Sequence, residues 1–139
     1  MNAIVDTSVW SRALRRKRQD LSATEGVLIG ELTELIREGR SRIIGPVRQE
    51  LLSGIKSPSQ FDKLRHRLQA FTDEPLATSD YEAAAEAGNQ CRAQGIAVSS
   101  VDILICAVAL TRQWSVFTTD PDFRNYARVL PLHLHSPRG

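Results

Sequence analysis

Four carboxylates stand where the residue pattern ends a strand or opens a helix. Asp6 directly follows the apolar run Ala3-Ile4-Val5, and Asp120 follows Val116-Phe117-Thr118. Glu50 lies early in the helix after a second strand, and Asp102 lies in the first turn of a helix whose next eight residues are all apolar. Each has an ordinary structural use on its own: Asp120, before Pro121, suits a turn or cap, and Asp102 suits the positive end of a helix dipole. In an open parallel sheet, however, ligands bind at the carboxyl ends of the strands, near a switch in strand order. Four acids converging there would repel one another unless cations neutralised them. An all-oxygen donor set suits Mg²⁺ or Mn²⁺ rather than zinc and leaves positions open for water and a substrate phosphate. The chemistry this implies is phosphodiester hydrolysis by a metal-activated water.

The elements that must position these acids follow from hydrophobic spacing and caps. Ala3–Val5 reads as a buried strand, after which Thr7 and Ser8 can cap a helix from Val9 to about Lys17 that buries Val9, Trp10, Ala13 and Leu14. Ser22-x-x-Glu25 is a capping box opening a second helix that stops at Gly39. Arg42–Gly45 reads as strand two, and Pro46 suits the first turn of a helix over Val47–Leu52 that carries Glu50. Gln60–Phe71 has helical spacing, Pro75–Thr78 is at best a short strand, and Ser79-x-x-Glu82 is a second capping box before a helix that ends at Gly95. Ser99 or Ser100 caps the helix Val101–Gln113, which is apolar nearly all round and so should lie centrally against a sheet. Val116–Thr118 is a strand, and Val129–Leu134 is a candidate last one. Strands alternating with helices predict a three-layer α/β/α sandwich with a central, mainly parallel sheet.

Composition bounds the rest. With 139 residues, 42% hydrophobic and 24% charged, the chain fits one globular domain, 1–139, large enough to need neither disulfide nor structural zinc. Its longest apolar run, Ile103–Leu110, is far short of the roughly 20 residues of a membrane helix, and Met1-Asn2-Ala3 lacks a signal-peptide pattern. A cytoplasmic, non-membrane protein is expected, with Cys91 and Cys106 as small core residues. Net charge is only +2, yet three lysines stand against fifteen arginines. Arg12, Arg15, Arg16, Lys17 and Arg18 crowd the end of the first helix, either as a solvated face or as a phosphate track.

The sequence around each acid resembles a known family. Ile4-Val5-Asp6-Thr7-Ser8-Val9-Trp10 is similar to the opening of PIN-domain ribonucleases, in particular the VapC-type toxins of bacterial toxin–antitoxin pairs. Val47-Arg48-Gln49-Glu50-Leu51-Leu52-Ser53-Gly54 resembles the helix that bears that family's metal-site glutamate. Ser100-Val101-Asp102-Ile103-Leu104-Ile105-Cys106-Ala107 resembles its third acidic motif and Phe117-Thr118-Thr119-Asp120-Pro121-Asp122-Phe123 its fourth. The resemblance implies a PIN-like fold and a Mg²⁺- or Mn²⁺-dependent endoribonuclease toxin, neutralised by a cognate VapB-like antitoxin. Asp6, Glu50, Asp102 and Asp120 would hold the metal, with Asp122 as a further candidate. Thr118 or Thr119 matches a hydroxyl near the metal or scissile phosphate, Thr7 and Ser8 are expected as caps, and Arg12, Arg15 and Arg16 are candidate RNA contacts. Homodimers are usual among such relatives, and Val27, Leu28, Leu32 and Ile36 exceed what the second helix needs for its own core contact. The alternative is a noncatalytic RNA-binding or antitoxin-docking module of the same fold.

Other readings are weaker. A phosphoacceptor receiver domain needs a lysine on a late strand, and all three lysines precede residue 64. A haloacid-dehalogenase phosphatase needs Asp-x-Asp after its first strand, where this chain has Asp6-Thr7-Ser8. His133 and His135 are expected on a solvated C-terminal edge, His66 on an exposed helix face, and Trp10 and Trp114 in the core.

Overall fold

The computed structural model describes residues 1–15, the Arg15 side chain excepted, and 21–139. The expected end of the first helix, with Arg16, Lys17 and Arg18, lies outside the described residues. At the centre is β1 (Ala3–Val5), wholly buried, paired in parallel with β2 (Ser41–Arg42) on one side and β3 (Ser115–Phe117) on the other. Ile4 sits opposite both Arg42 and Val116. Parallel strands buried on both faces need apolar residues at every position, which Ala3-Ile4-Val5 supplies. Among the described residues seven helices flank the three strands, giving the α/β sandwich expected from the pattern.

Each strand leads, after at most four residues, into a helix that bears on the site. α1 (Thr7–Arg15) follows β1, and Trp10 on its first turns is buried edge-on against Phe71, its ring N–H donating to the Val5 carbonyl at 3.1 Å. α2 (Ala23–Arg37) opens on the expected capping box: Ser22 Oγ accepts from the Glu25 N–H and Glu25 Oε1 from the Ser22 N–H. It buries Leu32 and Leu35, while Val27 and Ile36 remain 56% and 38% exposed. α3 (Gly45–Leu52) starts one residue before Pro46, and α4 (Pro58–Leu68) follows a Ser57 cap. α5 (Thr78–Ala93) packs on α6 (Ser100–Arg112), whose residues Ile103 to Ala109 are all buried between α5 and the sheet. Cys91 and Cys106 are free and buried, as expected. α7 (Asp122–Tyr126) closes the site side. No helix among the described residues is long and apolar enough to cross a membrane.

Four local expectations are corrected. α5 starts at Thr78 rather than after a Ser79–Glu82 box, because Asp80 accepts the Ala77 N–H at 2.8 Å and is itself clamped by Arg112. That ion pair is largely buried, so its geometry, not the sequence motif, fixes the start of the helix. Pro75–Thr78 forms no strand, and the nearby pairing is a single bridge between Ile43 and Asp73. Val129–Leu134 is likewise not a strand: Val129 and Leu130 turn back onto the Tyr126 carbonyl, and only Leu134 bridges to Val116.

The fourth correction concerns the C-terminal histidines. His133 is exposed, but His135 packs edge-on against Phe117 and its Nε2 lies 2.5 Å from Oε2 of the buried Glu31. Arg138 donates to Oε1 of the same carboxylate at 2.7 Å and also reaches Glu38. Burial alone would push the Glu31 carboxyl up, but the hydrogen bonds from Arg138 and His135 outweigh it and hold it below its ordinary value. A buried charge requires such partners, which is why the C-terminal segment lies down on α2.

Candidate active site

The strand order β2-β1-β3 means the chain leaves β1 for one side of the sheet and later returns to the other. The switch lies between β1 and β3, whose carboxyl ends lead into Asp6 and into Thr118-Thr119-Asp120. A crevice at such a point is where an open α/β sheet presents side chains to a ligand.

Asp6 is only 5% exposed, and two hydroxyls hold it in place. Ser8 and Thr118 each donate to Asp6 Oδ2 at 2.8 Å. The same two oxygens accept backbone N–H groups, Ser8 Oγ from Thr119 at 3.0 Å and Thr118 Oγ1 from Asp120 at 3.0 Å. Ser8 therefore does not cap the helix, as expected, but lies inside α1, which starts at Thr7, and ties β1 to the β3 exit. Thr7 differs from expectation in the same way: its hydroxyl donates to Glu50 Oε1 at 2.9 Å and anchors the exposed Glu50 of α3 beside the start of α1.

Across from Asp6, Asp102, Asp120 and Asp122 each bring a carboxylate oxygen within 4.8 Å of the others. Asp102 is set by the first turn of α6, where its N–H donates to Ser99 Oγ at 3.1 Å. Asp120 accepts the Asp122 N–H at 2.9 Å, so the turn that starts α7 points both residues the same way. Partial burial holds the Asp102 carboxyl above its ordinary value, the Tyr126 hydroxyl opposes that, and the nearby charges of Asp6 and Asp120 raise it further. Among the described residues no ion pair reaches Asp102, Asp120 or Asp122, and the donors are hard oxygens. The nearby Cys106 thiol is fully buried, which pushes its pKa far up, and it is not among the residues whose donor atoms converge. Thr119 Oγ1 is buried without a hydrogen-bond partner at the same strand exit. The residues present thus fit Mg²⁺ or Mn²⁺ better than zinc.

The geometry groups Asp102, Asp120 and Asp122, brings the charge of Asp6 close to Asp102, and leaves Glu50 at the margin, joined through Thr7. Arg12 is engaged elsewhere: it pairs with Glu25 of α2 at 3.4 Å and donates to the Ser8 carbonyl at 2.8 Å. Of the Arg15 and Arg16 side chains nothing is described. Sequence reasoning missed Tyr126, which is buried and donates to Asp102 Oδ2 at 3.0 Å. The signal was present in the spacing, since Asp122 and Tyr126 are four apart on one short helix. A hydrogen bond of this kind orients a ligating carboxylate, and losing such a partner typically weakens metal affinity about 10- to 100-fold. Tyr126→Phe keeps the ring and should therefore weaken Mn²⁺ binding by about tenfold, measured by calorimetric titration, with the circular dichroism unchanged. Equal affinity in the two proteins would leave Tyr126 as packing alone.

A family model described as PIN domain matches residues 3–129. Solved structures similar in fold include FitAcB from Neisseria gonorrhoeae, at 19% identity and a TM-score of 0.75 over 97% of each chain. VapBC2 from Rickettsia felis, bound to a DNA fragment from its promoter, is 17% identical with a TM-score of 0.73, covering 97% of this chain and 98% of that one. A toxin–antitoxin complex from Klebsiella pneumoniae is 15% identical with a TM-score of 0.67, covering 99% of this chain and 98% of that one. No match is found among curated protein sequences.

Proposed function

Since the chain belongs to the PIN-domain family, whose members are generally nucleases, we propose that it is a metal-dependent endoribonuclease acting as the toxin of a toxin–antitoxin pair. The observation that carries this reading is the convergence of Asp102, Asp120 and Asp122 at the switch point, beside a buried and rigidly held Asp6. Asp6, Asp102 and Asp120 would hold Mg²⁺ or Mn²⁺, with Asp122 and Glu50 completing the oxygen set. When bound, such a cation supplies Lewis acidity that activates a water and offsets charge growing at phosphorus. The chain's own part is to keep those oxygens in fixed positions, through Ser8 and Thr118 on Asp6 and Tyr126 on Asp102. Incubation with single-stranded RNA and Mg²⁺ tests the reading: internal cleavage supports it, and binding without cleavage would make the chain a noncatalytic module.

The basic run that begins at Arg15 in the sequence is assigned to affinity rather than chemistry. Because Arg12 already pairs with Glu25, the weight falls on Arg15 and Arg16. Each phosphate contact on a single strand contributes about 0.7 to the slope of log affinity against log salt. Replacing both arginines with alanine should flatten that slope by about 1.4, with turnover at saturation little changed. An unaltered slope returns them to a solvated face.

Two partners complete the proposal. Exposed Val27 and Ile36 on α2, together with half-buried Leu28, supply an apolar stripe for a homodimer. A dimer mass by light scattering at micromolar concentration is expected, and a monomer would remove that assignment. The solved neighbours include toxin–antitoxin complexes, and by that likeness a VapB-like antitoxin would restrain the enzyme in the cytoplasm. An arginine of that partner could pair with the acids and compete with metal, so inhibition should weaken as Mg²⁺ is raised.

A further inference from the structure

Beside the acid cluster, between the α5–α6 connection and α7, lies a cavity of about 520 Å³. That volume falls in the range of sites that take small molecules. Two residues belong to both places: Asp122 lines the cavity and contributes to the acid cluster, and Tyr126 lines it while its hydroxyl holds Asp102. A strand of RNA with a phosphate at the acids that continued past Asp122 would bring its next nucleotide to this space.

The lining suits a base better than a second phosphate. Gln94 and Asn125 contribute carboxamides, each with a donor and an acceptor, and Arg128 forms no ion pair among the described residues. Half-buried Ile96 and Val129 supply apolar surface for the flat face of a ring. Asp122 in the lining would repel a free anion, and the carbonyl oxygens of the two carboxamides are acceptors that a base edge can satisfy and a phosphate cannot. Asparagine and glutamine pair with the outer edge of adenine, and arginine with that of guanine, so all three polar side chains favour purines. Unpaired bases splayed out of a single strand are the usual targets of sequence-specific RNA recognition.

We propose that this cavity binds the unpaired purine next to the scissile phosphate and sets the cleavage preference of the site, an inference that rests on the nuclease reading above. The test is digestion of a random-sequence single-stranded RNA with sequencing of the new ends, for the wild type, Asn125→Ala, Arg128→Ala and the control Arg124→Ala, which sits on the same helix but does not line the cavity. The wild type should show a purine preference at one position beside the cut. Asn125→Ala and Arg128→Ala should each lower that preference by about tenfold, mainly through KM, and Arg124→Ala should leave it intact. A profile identical in all four proteins, or lost equally in the control, overturns the subsite while leaving the nuclease intact. If the wild type does not cleave, the nuclease reading fails, and binding of two oligonucleotides, one with a purine and one abasic at a single position, decides the cavity alone: equal affinities overturn it, and a tenfold preference for the purine upholds it.

Discussion

Asp102→Asn should reduce RNA cleavage by about 1,000-fold or more, equivalent to about 4 kcal/mol of barrier, while the protein melts at the same temperature or higher. The activity loss follows from removing a charged oxygen donor where three carboxylates converge. Shape is kept, because asparagine can still accept the Tyr126 hydroxyl and its backbone N–H still meets Ser99 Oγ. The stability result follows from the raised carboxyl of Asp102. A folded-state value above the unfolded one means that the protonated form is preferred in the fold, so its contribution is full in acid and lost as pH rises through the folded value. At neutral pH the ionised group is therefore a net cost to the folded state, and asparagine removes it. Paired measurement of initial rates and thermal melts checks both halves. A variant that cleaves normally would move the site away from Asp102, and one that melts much earlier would make the residue structural.

Chelation should abolish cleavage, and Mn²⁺ or Mg²⁺ should restore it. Acids alone would repel the phosphate they need to bind, and among the described residues none of them is positioned as a lone base by a cationic partner. The same metal should stabilise the fold, since it binds the native acid cluster and not the unfolded chain: at 100 times its dissociation constant the gain is about 2.7 kcal/mol. Melting curves with and without Mn²⁺ read this directly, and the shift should be much smaller in Asp102→Asn. Cleavage that survives thorough chelation would point to attack by the RNA's own 2′-hydroxyl.

Much of the site was legible because strand ends are legible. Asp6 and Asp120 follow short apolar runs, and parallel topology then forces both to one edge of the sheet. Asp102 stood out as an acid heading an apolar helix. What the sequence left open were questions of rotation and register. Thr118 and Thr119 are neighbours whose side chains alternate, and only three-dimensional pairing shows that Thr118 meets Asp6. Glu50 matched a motif, yet its helix carries it to the rim, where Thr7 holds it. Asp122 could have capped a helix or joined the acids, and its backbone N–H serves Asp120 while its carboxylate meets the cluster.

Two of the remaining errors, the start of α5 and the placing of His135, share one physical cause. Long-range ion pairs outvoted local patterns: Arg112 on Asp80 shifted the start of α5, and buried Glu31 drew His135 and Arg138 down from a supposed solvated edge. Neither partner is near the other in sequence, so no spacing rule could have paired them. Tyr126 was readable by its spacing from Asp122 but invisible as a partner of Asp102, which lies 24 positions away.

If the acids at the switch point support hydrolysis of RNA by water, the oxygen of the attacking water ends on phosphorus. Brief digestion of a defined single-stranded RNA with Mn²⁺ in ¹⁸O-water, followed by mass spectrometry of the fragments, reads this out. Linear phosphate monoester ends carrying one ¹⁸O atom from solvent are expected; unlabelled 2′,3′-cyclic phosphate ends, or no fragments at all, would rule out hydrolysis by water at these acids.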